Sequence, residues 1–490
     1  MKLSMSHIPN HPSAHAKEEL RNLAPISVQL TDFATDLEYA SLPGEAIETI
    51  KWHILDTLGC AVAGCESEIA QSARRAAAAM GAGGDHMVFG SPSSHSASAA
   101  AFANAVIANA LDYDDGFEVA GKGMGHPGSS IVSAALSACS SPGIHGKDFI
   151  AAVAAGYEIN NRLILAAQPT PQRFAEVYGI SQHQAIGACI AYGRLRGLDH
   201  GALHNAIGLA GGLTPVPSLH KYNWNLRPII SLKDFVAPAA LSGVLSVQLG
   251  EAGFIGSHDL FDGPTGYWRM IGSDRFDAAL LLDELGLRWA LLDSSFKLYP
   301  ACRWLAPALE AFECLIDEHR IDPSEIAAIE VATFTTVADK LMATQPQNAI
   351  DAQFSLPYTL AALALRLPKG KEWFTAGNLN SPPLLALANK VSVRIDAVMD
   401  RNMTSSLRRP SARVSIRTRD GRHHEHAIHT PLGSTLRPAD PARIREKALS
   451  NLQGLALPAE QLVGRLLRLE QEESVQNLIE TLMNATCTKR

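Results

Sequence analysis

The chain contains few cysteines, and their spacing matches neither a metal-binding nor a redox motif. Its 490 residues include seven cysteines, an odd number, and no Cys-x-x-Cys pair. Most lie in alanine-rich or apolar stretches, where a free cysteine behaves as a small hydrophobic residue. This pattern argues against a disulfide scaffold and against a zinc site, and it favours a reducing, cytoplasmic environment.

Long apolar runs and a surplus of positive charge are also missing. The sequence contains no run of about 20 apolar residues, the length that spans a bilayer. The amino end also lacks the apolar core of a signal peptide. We expect residues 1–26 to form a mobile tail. The formal net charge is −7 and the pI is about 6.2, which gives no general attraction for a phosphate backbone or an anionic lipid surface. Nucleic acid and membrane are therefore not expected partners.

The familiar cofactor and hydrolase motifs are absent as well. There is no P-loop, no Gly-x-Gly-x-x-Gly after a predicted strand, no His-Glu-x-x-His and no Gly-x-Ser-x-Gly. His424 and His426 would share one face of a predicted strand, as metal ligands can, but an exposed polar strand is the simpler interpretation. We therefore expect neither a cofactor nor a metal.

Alanine-rich segments with helical spacing are abundant. Apolar residues recur every four positions within 45–64, and similar segments continue to about residue 250. Later segments rich in β-branched residues predict strands at 326–337, 391–395, 412–417 and 422–428. We therefore predict a mainly α protein with a second α+β domain: an all-helical domain at 27–277, a smaller α+β domain at 278–430, and C-terminal helices at 431–490 that pack back on the first.

One stretch concentrates acid–base side chains. Asp112, Asp114 and Asp115 follow an alanine-rich helix, and a glycine-rich segment leads from them to His126. The carboxyl end of a helix already carries negative potential, so three carboxylates there are unfavourable. An imidazole held close to carboxylates suits general acid–base work. A structural interpretation, in which the aspartates cap loops and the histidine is merely packed, explains this stretch equally well.

Two further stretches supply cations. Lys233 precedes an apolar helix, where its ammonium group could hold a substrate carboxylate or simply pair with Asp234. Lys297, Tyr299 and Arg303 follow the predicted change of domain. Clefts between domains are common ligand sites, so this position favours a binding role.

Taken in order, these stretches resemble the 2-methylcitrate dehydratase (MmgE/PrpD) family, which also includes cis-aconitate decarboxylases and iminodisuccinate epimerases. The resemblance implies a large all-helical domain interrupted in sequence by a smaller α+β domain, a homodimer, and an active site between the domains that needs no metal. The matching segments are LDTLGC at 55–60, ALDYDD at 110–115, HPG at 126–128, GACIAYGRLRGL at 187–198, EAGF at 251–254, DGP at 262–264, KLYPAC at 297–302 and QFSLPY at 353–358.

The resemblance assigns roles residue by residue. Asp112, His126, Lys233 and Lys297 match family positions and are predicted to be catalytic, and Tyr358 matches the tyrosine of the Ser-Leu-Pro-Tyr motif. With Tyr358, the predicted substrate-binding side chains are Asp115, His183, Tyr299 and Arg303.

The chain also departs from the family pattern. Gly116 and Phe117 occupy positions where the family often has threonine and histidine. Tyr178 and Ala306 occupy positions where it often has histidines, and His183 is the nearest substitute for the first of these. The scaffold is therefore retained while much of the imidazole complement is lost, which leaves the substrate open.

We predict a cofactor-independent, 2-methylcitrate dehydratase-like lyase that acts at the carbon α to a carboxylate of a small di- or tricarboxylate. Lys233 and Lys297, with Arg303, would hold carboxylates and the charge that develops on the aci-carboxylate, while His126 transfers a proton and Asp112 orients it or acts as the base. Decarboxylation or epimerisation of a related substrate would pass through the same early carbanion. The remaining alternative is a family scaffold that has lost catalysis and serves in binding.

Overall fold

The computed structural model describes residues 25–487, except for 120–121, 141–142, 178, 180 and 217–226. Tyr178 and nearly all of the predicted N-terminal tail lie outside the described residues. Helices account for 56% of the structure and strands for a small part, which confirms a mainly α protein with an α+β portion. None of the described helices has both the length and the apolar character needed to cross a membrane.

The first part of the chain is built from helices that are buried on several sides. Every residue of the second helix from His53 to Gly64 is buried, because its alanines, glycines and cysteine let neighbouring helices approach closely. Among the described residues, the α-helices before residue 290 are α1 (Ile26–Asp36), α2 (Gly44–Gly64), α3 (Glu68–Gly81), α4 (Ala97–Ala108), α5 (Pro127–Leu136), α6 (Gly146–Ala166), α7 (Pro171–Glu176), α8 (Gln184–Leu195), α9 (His200–Gly212), α10 (Val236–Glu251), α11 (Tyr267–Met270) and α12 (Ala278–Leu282).

A short strand and a three-stranded sheet interrupt these helices. The strands are β1 (Ala82–His86), β2 (Gly116–Val119), β3 (Lys122–Met124) and β4 (Ser294–Ser295). The sheet has the order β3-β2-β4 and its pairs are antiparallel. The sequence predicted only a glycine-rich loop between Asp115 and His126, but Phe117 and Met124 pack with Ile164 and stabilise the β2–β3 pair. Because β4 lies beside β2, the segment after Asp115 runs next to the segment before Lys297.

The later part of the chain contains a four-stranded sheet whose strands lie at the four predicted segments, but the first strand ends at Thr333 and a helix begins at Thr335, within the predicted strand 326–337. The strands are β5 (Ile326–Thr333), β6 (Val391–Ile395), β7 (Ala412–Thr418) and β8 (His423–Ile428). The order is β6-β5-β7-β8, with β5 and β6 parallel and the other pairs antiparallel. The accompanying helices are α13 (Ala306–Glu318), α14 (Thr335–Lys340), α15 (Ala349–Gln353), α16 (Leu356–Ala364), α17 (Ala376–Leu379), α18 (Pro382–Ala388) and α19 (Ala397–Thr404).

The last helices return to the first part of the chain. They are α20 (Pro441–Asn451), α21 (Ala459–Leu466) and α22 (Val475–Cys487). One hydrophobic core combines buried residues between 30 and 291 with residues between 448 and 483. A second core contains residues between 299 and 428, together with Leu111 and Tyr113 from the carboxylate-rich segment. That segment therefore lies where the two cores meet, while the domain boundaries themselves remain a prediction.

Candidate active site

Six ionisable side chains from three separate stretches of the chain lie together beneath the surface. We call this group the acid–base cluster, and none of its members is more than 7% exposed. Burial of so many charged groups is rare unless they compensate one another. The members are Asp112, Asp114, His126, Lys233, Asp234 and Lys297.

Asp112 binds both lysines of the cluster. Its Oδ1 lies 2.7 Å from Nζ of Lys297 and 3.2 Å from Nζ of Lys233, and Lys233 also contacts Asp234. Asp112 has a φ of 49°, a left-handed conformation that aspartate tolerates better than most residues. Burial alone would raise the pKa of Asp112, but the two ammonium groups outweigh burial and hold it below its usual value. The carboxylate is therefore ionised and a weak base.

His126 stands at the amino end of α5, with its two ring nitrogens in different surroundings. Nδ1 lies 3.4 Å from Oδ2 of Asp114, whereas Nε2 lies 3.8 Å from Asp112 and 4.0 Å from Asp234. Burial would lower the pKa of His126, but Asp114 and Asp234 more than offset burial and raise it. The two carboxylates therefore favour the protonated imidazole, and Nε2 lies farther from its acceptors than Nδ1 does.

Asp114 is the orienting partner that sequence reasoning left without a role of its own. It accepts hydrogen bonds from the side-chain amide of Asn109 (3.0 Å) and from the hydroxyl of Ser129 (2.5 Å). Burial would raise its pKa, but His126 and the two lysines lower it. A carboxylate fixed in this way on Nδ1 holds the imidazole in one orientation and directs Nε2 toward the rest of the cluster. The sequence marks this role only by the place of Asp114 among the carboxylates at 112–115, two residues after Asp112.

Three side chains of the cluster are also close enough to share a metal ion. One ligand atom each from Asp112, Asp114 and His126 lies within 4.8 Å of the others. However, the ammonium groups of Lys233 and Lys297 already lie against Asp112, and both oxygens of Asp114 accept hydrogen bonds from Asn109. The geometry therefore fits cationic side chains in the place that a divalent ion would need.

Asp115 forms hydrogen bonds that stabilise the start of α5, the helix that follows His126. Its Oδ1 accepts a hydrogen bond from the backbone N–H of Gly128 (3.0 Å), and its Oδ2 accepts one from the hydroxyl of Tyr157 (2.8 Å). Nδ1 of His53 is 2.9 Å from the same Oδ2. Asp115, predicted to contact substrate, is thus occupied by main chain and by side chains of α2 and α6.

Gly128→Ala is expected to lower the free energy of unfolding by about 1–3 kcal/mol, the usual effect of overpacking a core. A Cβ at this position would overlap the Thr57 hydroxyl and press on Tyr157 and Asp115. Urea denaturation monitored by circular dichroism measures the change. Gly201→Ala on α9, where an added Cβ meets no atom closer than 3.7 Å, is the matched control. Equal stability of the two variants would contradict the proposed tight packing behind His126.

A buried lysine from the C-terminal helices connects the segment that carries Asp112 with the segment that carries Lys297. Nζ of Lys447 donates hydrogen bonds to the backbone carbonyls of Tyr113 (2.6 Å) and Lys297 (3.0 Å), and it forms a 2.6 Å ion pair with Asp56. Burial would lower the pKa of Lys447, but Asp56 raises it. Lys447 therefore stays charged and fixes the main chain beside Asp112 and at Lys297 itself.

Arg303 is placed next to Lys297 by the small sheet. Its Nη1 donates to the hydroxyl of Ser295 (2.9 Å), and Nη2 has no hydrogen-bond partner among the described residues. Nη2 occupies the space that a side chain at position 116 would fill, so Gly116 is required for this placement. Lys297, Arg303 and Ala306 line one small cavity, in which Ala306 contributes only a methyl group.

The other predicted binding residues lie apart from the cluster. The Tyr299 hydroxyl donates to Glu313 (2.6 Å), and the Tyr358 hydroxyl donates to the backbone carbonyl of Trp373 within the second core. His183 is the residue just before α8, and its ring packs edge-on against Tyr267, with ring centroids 5.7 Å apart. Substrate contacts by these three residues remain predictions.

A larger cleft lies at the junction of the two cores, beside segments that carry members of the cluster. Its volume is about 450 Å³, and its lining includes Leu111, which precedes Asp112, and Ser231. Ser231 also lines a narrow cavity that continues to Lys233. An ion pair between Glu66 and Lys371, 2.8 Å long, lies at the lining of the cleft. The cleft has the volume of a small-molecule site.

Comparison with known proteins assigns the chain to a family. Residues 28–278 match the MmgE/PrpD N-terminal domain and residues 299–472 match the MmgE/PrpD C-terminal domain. The chain therefore belongs to the MmgE/PrpD family. Among individual relatives, it is 22% identical to a cis-aconitate decarboxylase from Homo sapiens over 425 residues, which cover 85% of each chain. The family and this relative support lyase activity of the dehydratase or decarboxylase type.

Proposed function

We propose that this protein is a lyase that acts at the carbon α to a carboxylate of a small di- or tricarboxylate, with His126 as the proton donor. The observation that carries the proposal is the position of the His126 ring, whose Nε2 lies among carboxylates that raise its pKa and near two buried ammonium groups. With His126 protonated, three carboxylates face three cations, so the cluster is neutral overall. A neutral cluster does not itself repel the negative charge that forms on a carbanion, and its cations can stabilise that charge.

The lysines supply the electrostatic part of the mechanism. Asp112 lies against Lys297 and Asp234 lies against Lys233, so a substrate carboxylate binds by competing for these ammonium groups. Removing a proton or carbon dioxide next to a carboxylate places two negative charges on the aci-carboxylate. Fixed ammonium groups in a site that excludes water stabilise that charge more than water does.

His126 then completes the reaction in either of two ways. In decarboxylation, the bond from the reacting carbon to a carboxylate breaks, carbon dioxide leaves with no electrons from that bond, and the carbon takes the Nε2 proton. In dehydration, a base first removes the α-proton, and the Nε2 proton goes to the leaving β-hydroxyl, which departs as water. Asp114 on Nδ1 stabilises the imidazolium before either transfer.

The decarboxylase branch has one observation in its favour. Asp112 accepts from Lys297 and is held below its usual pKa, which makes it a poor base for the α-proton. Decarboxylation needs an acid and no such base. The resemblance to a cis-aconitate decarboxylase agrees with this branch, while a dehydratase remains the alternative and an epimerase would need a second proton-transfer group.

A retired scaffold is the weaker alternative because the cluster is intact. Phe117 packs with Met124 and Ile164, and Trp304 packs edge-on against Phe334 with centroids 6.1 Å apart. Both aromatic side chains therefore have packing partners of their own, while Lys233 and Lys297 converge on Asp112.

Proton NMR in D2O tests the proposed reaction directly. The purified protein is incubated with methylcitrate, citrate, cis-aconitate and iminodisuccinate, each in a separate sample. We expect at least one substrate to give a new alkene signal or a product that has lost carbon dioxide and gained one deuterium. Exchange of an α-proton with return of the substrate's mirror configuration would indicate epimerisation instead. No change in any sample from a folded protein would contradict lyase activity on this class of substrate.

A further inference from the structure

The three carboxylates of the acid–base cluster differ in how firmly their negative charge is held, and the dehydration branch needs one of them as its base. Asp112 contacts two ammonium groups, and both oxygens of Asp114 accept hydrogen bonds. Asp234 contacts the ammonium group of Lys233 and no second one among the described residues. A carboxylate loses much of its attraction for cations and N–H donors when it takes a proton. Of the three, Asp234 therefore has the least to lose.

Asp234 is also the carboxylate that faces space for a ligand. It lines the narrow cavity beside Lys233, whereas the other two carboxylates of the cluster do not. Its contacts with Lys233 and with Nε2 of His126, 4.0 Å away, are both made by Oδ2. Within the part of the chain that the structure describes, no group donates a hydrogen bond to Oδ1. Asp234 can therefore accept a proton on Oδ1 without breaking a hydrogen bond there.

The backbone separates Asp234 from the helix that follows it. Phe235, between Asp234 and α10, has a φ of 53°, a left-handed conformation that is unfavourable for an aromatic residue. The hydroxyl of Ser181 donates to the backbone carbonyl of Asp234 and so fixes this turn. Unfavourable backbone conformations are concentrated at functional sites, which agrees with a direct role for Asp234 in the reaction.

We propose that Asp234 is the general base of the reaction and that the bound substrate activates it. The proposal rests on the proposed function, in which a substrate carboxylate competes for the ammonium groups of the cluster. A substrate carboxylate that takes the ammonium group of Lys233 breaks the ion pair of Asp234 and brings its own α-carbon close to Asp234. An unpaired buried carboxylate favours its neutral form, so Asp234 becomes a stronger base in the complex than in the free enzyme.

The proton and the electrons are then accounted for by Asp234 and His126 alone. The α C–H bond breaks, its electrons stay on the substrate as the aci-carboxylate, and the proton adds to Asp234. His126 gives its Nε2 proton to the β-hydroxyl, the C–O bond breaks with its electrons on oxygen, and water leaves as the electrons of the C–H bond form the alkene. After product release, Asp234 returns its proton to Nε2 of His126, across 4.0 Å that one water molecule can bridge.

Proton NMR in D2O separates the base from the acid. In His126→Gln the base is intact but the hydroxyl has no proton donor, so we expect deuterium to replace the α-proton of the substrate while no alkene forms. Adding Asp234→Asn should slow that exchange by about 10²–10⁴-fold. Adding Asp339→Asn, which changes an exposed aspartate on α14 in the same way, should leave the exchange within about twofold. An unchanged exchange rate in His126→Gln/Asp234→Asn would overturn the proposal.

Turnover of single variants decides the question if His126→Gln exchanges too slowly to measure. Asp234→Asn should lower kcat by about 10²–10⁴-fold without raising KM, because the substrate carboxylate then has one competitor fewer for Lys233. Asp234→Glu and Asp234→Gln place side chains of equal size, but only glutamate keeps the carboxylate, so it should turn over at least about tenfold faster. Equal rates in this pair, or a kcat of Asp234→Asn within about tenfold of wild type, would overturn the proposal.

These outcomes distinguish failure of the base from failure of the proposed function. If wild type decarboxylates cis-aconitate and dehydrates no substrate, lyase activity stands and the base is wrong, since decarboxylation removes no α-proton. Turnover lost in His126→Gln but kept in Asp234→Asn would likewise overturn only the base. If wild type acts on none of the carboxylates, both proposals fail.

Discussion

His126→Gln is expected to lower kcat/KM by about 10²–10⁴-fold, the usual contribution of a general acid. Glutamine is polar and of similar length, so it can still contact Asp114. Its amide, however, has no acidic proton that could replace the one on Nε2. The two carboxylates 3.8 and 4.0 Å from Nε2 cannot replace it, because an ionised carboxylate has no proton to donate. Turnover of the substrate identified by NMR measures the effect.

The control for this substitution is His145→Gln. His145 is exposed and makes no capping hydrogen bond at the start of α6, so its loss should leave kcat/KM within twofold. Full activity of His126→Gln would refute the assigned role. If His126→Gln lost activity only to the extent that the fraction of folded protein fell, His126 would act only in packing.

The pH dependence of kcat/KM provides a second test of the same residue. Because Asp114 and Asp234 raise the pKa of His126 above 6.5 despite its burial, the acid form is present below that raised pKa. We expect kcat/KM to fall as pH rises through it. Asp114→Asn removes one of the two carboxylates, so the fall should move to lower pH. An unchanged profile in that variant would contradict the orienting role of Asp114.

Four side chains of the acid–base cluster lie in short, recognisable segments. The family resemblance singled out Asp112, His126, Lys233 and Lys297, and the structure brings all four into one cluster, while their catalytic roles remain a proposal. Tyr358 came from an equally recognisable segment, yet its hydroxyl binds a carbonyl within the second core. A motif identifies which residue is present, but the direction of its side chain depends on packing.

The parts that sequence reasoning missed depend on contacts between distant residues. The glycines between Asp115 and His126 suggested a loop, but pairing with β4, some 180 residues away, makes strands of the flanking residues. His53 was missed for the same reason. Its contact with Asp115 joins α2 to the carboxylate-rich segment at 112–115. No local pattern marks such a residue, because its partner is set by tertiary packing.

Lys447→Met is expected to lower the free energy of unfolding by about 3–5 kcal/mol, the range found when one partner of a buried ion pair is removed. Methionine fills much of the same space but leaves Asp56, which is 1% exposed, without its 2.6 Å counterion. The carbonyls of Tyr113 and Lys297 lose their donor as well. Urea denaturation at pH 7 measures the loss.

Lys371→Met is the matched control for this substitution, since it breaks a 2.8 Å ion pair with Glu66 whose lysine is 39% exposed. Exposed ion pairs contribute about 0–1 kcal/mol. Lys447→Met should therefore lower the free energy of unfolding several times more than Lys371→Met does. Adding Asp56→Asn to Lys447→Met should recover part of the stability, because the unpaired buried charge is then gone. It should not recover activity, since the donor to the carbonyls beside Asp112 and at Lys297 is still missing. Recovery of both together would mean that Lys447 acts only as the counterion of Asp56 and does not position the two catalytic segments.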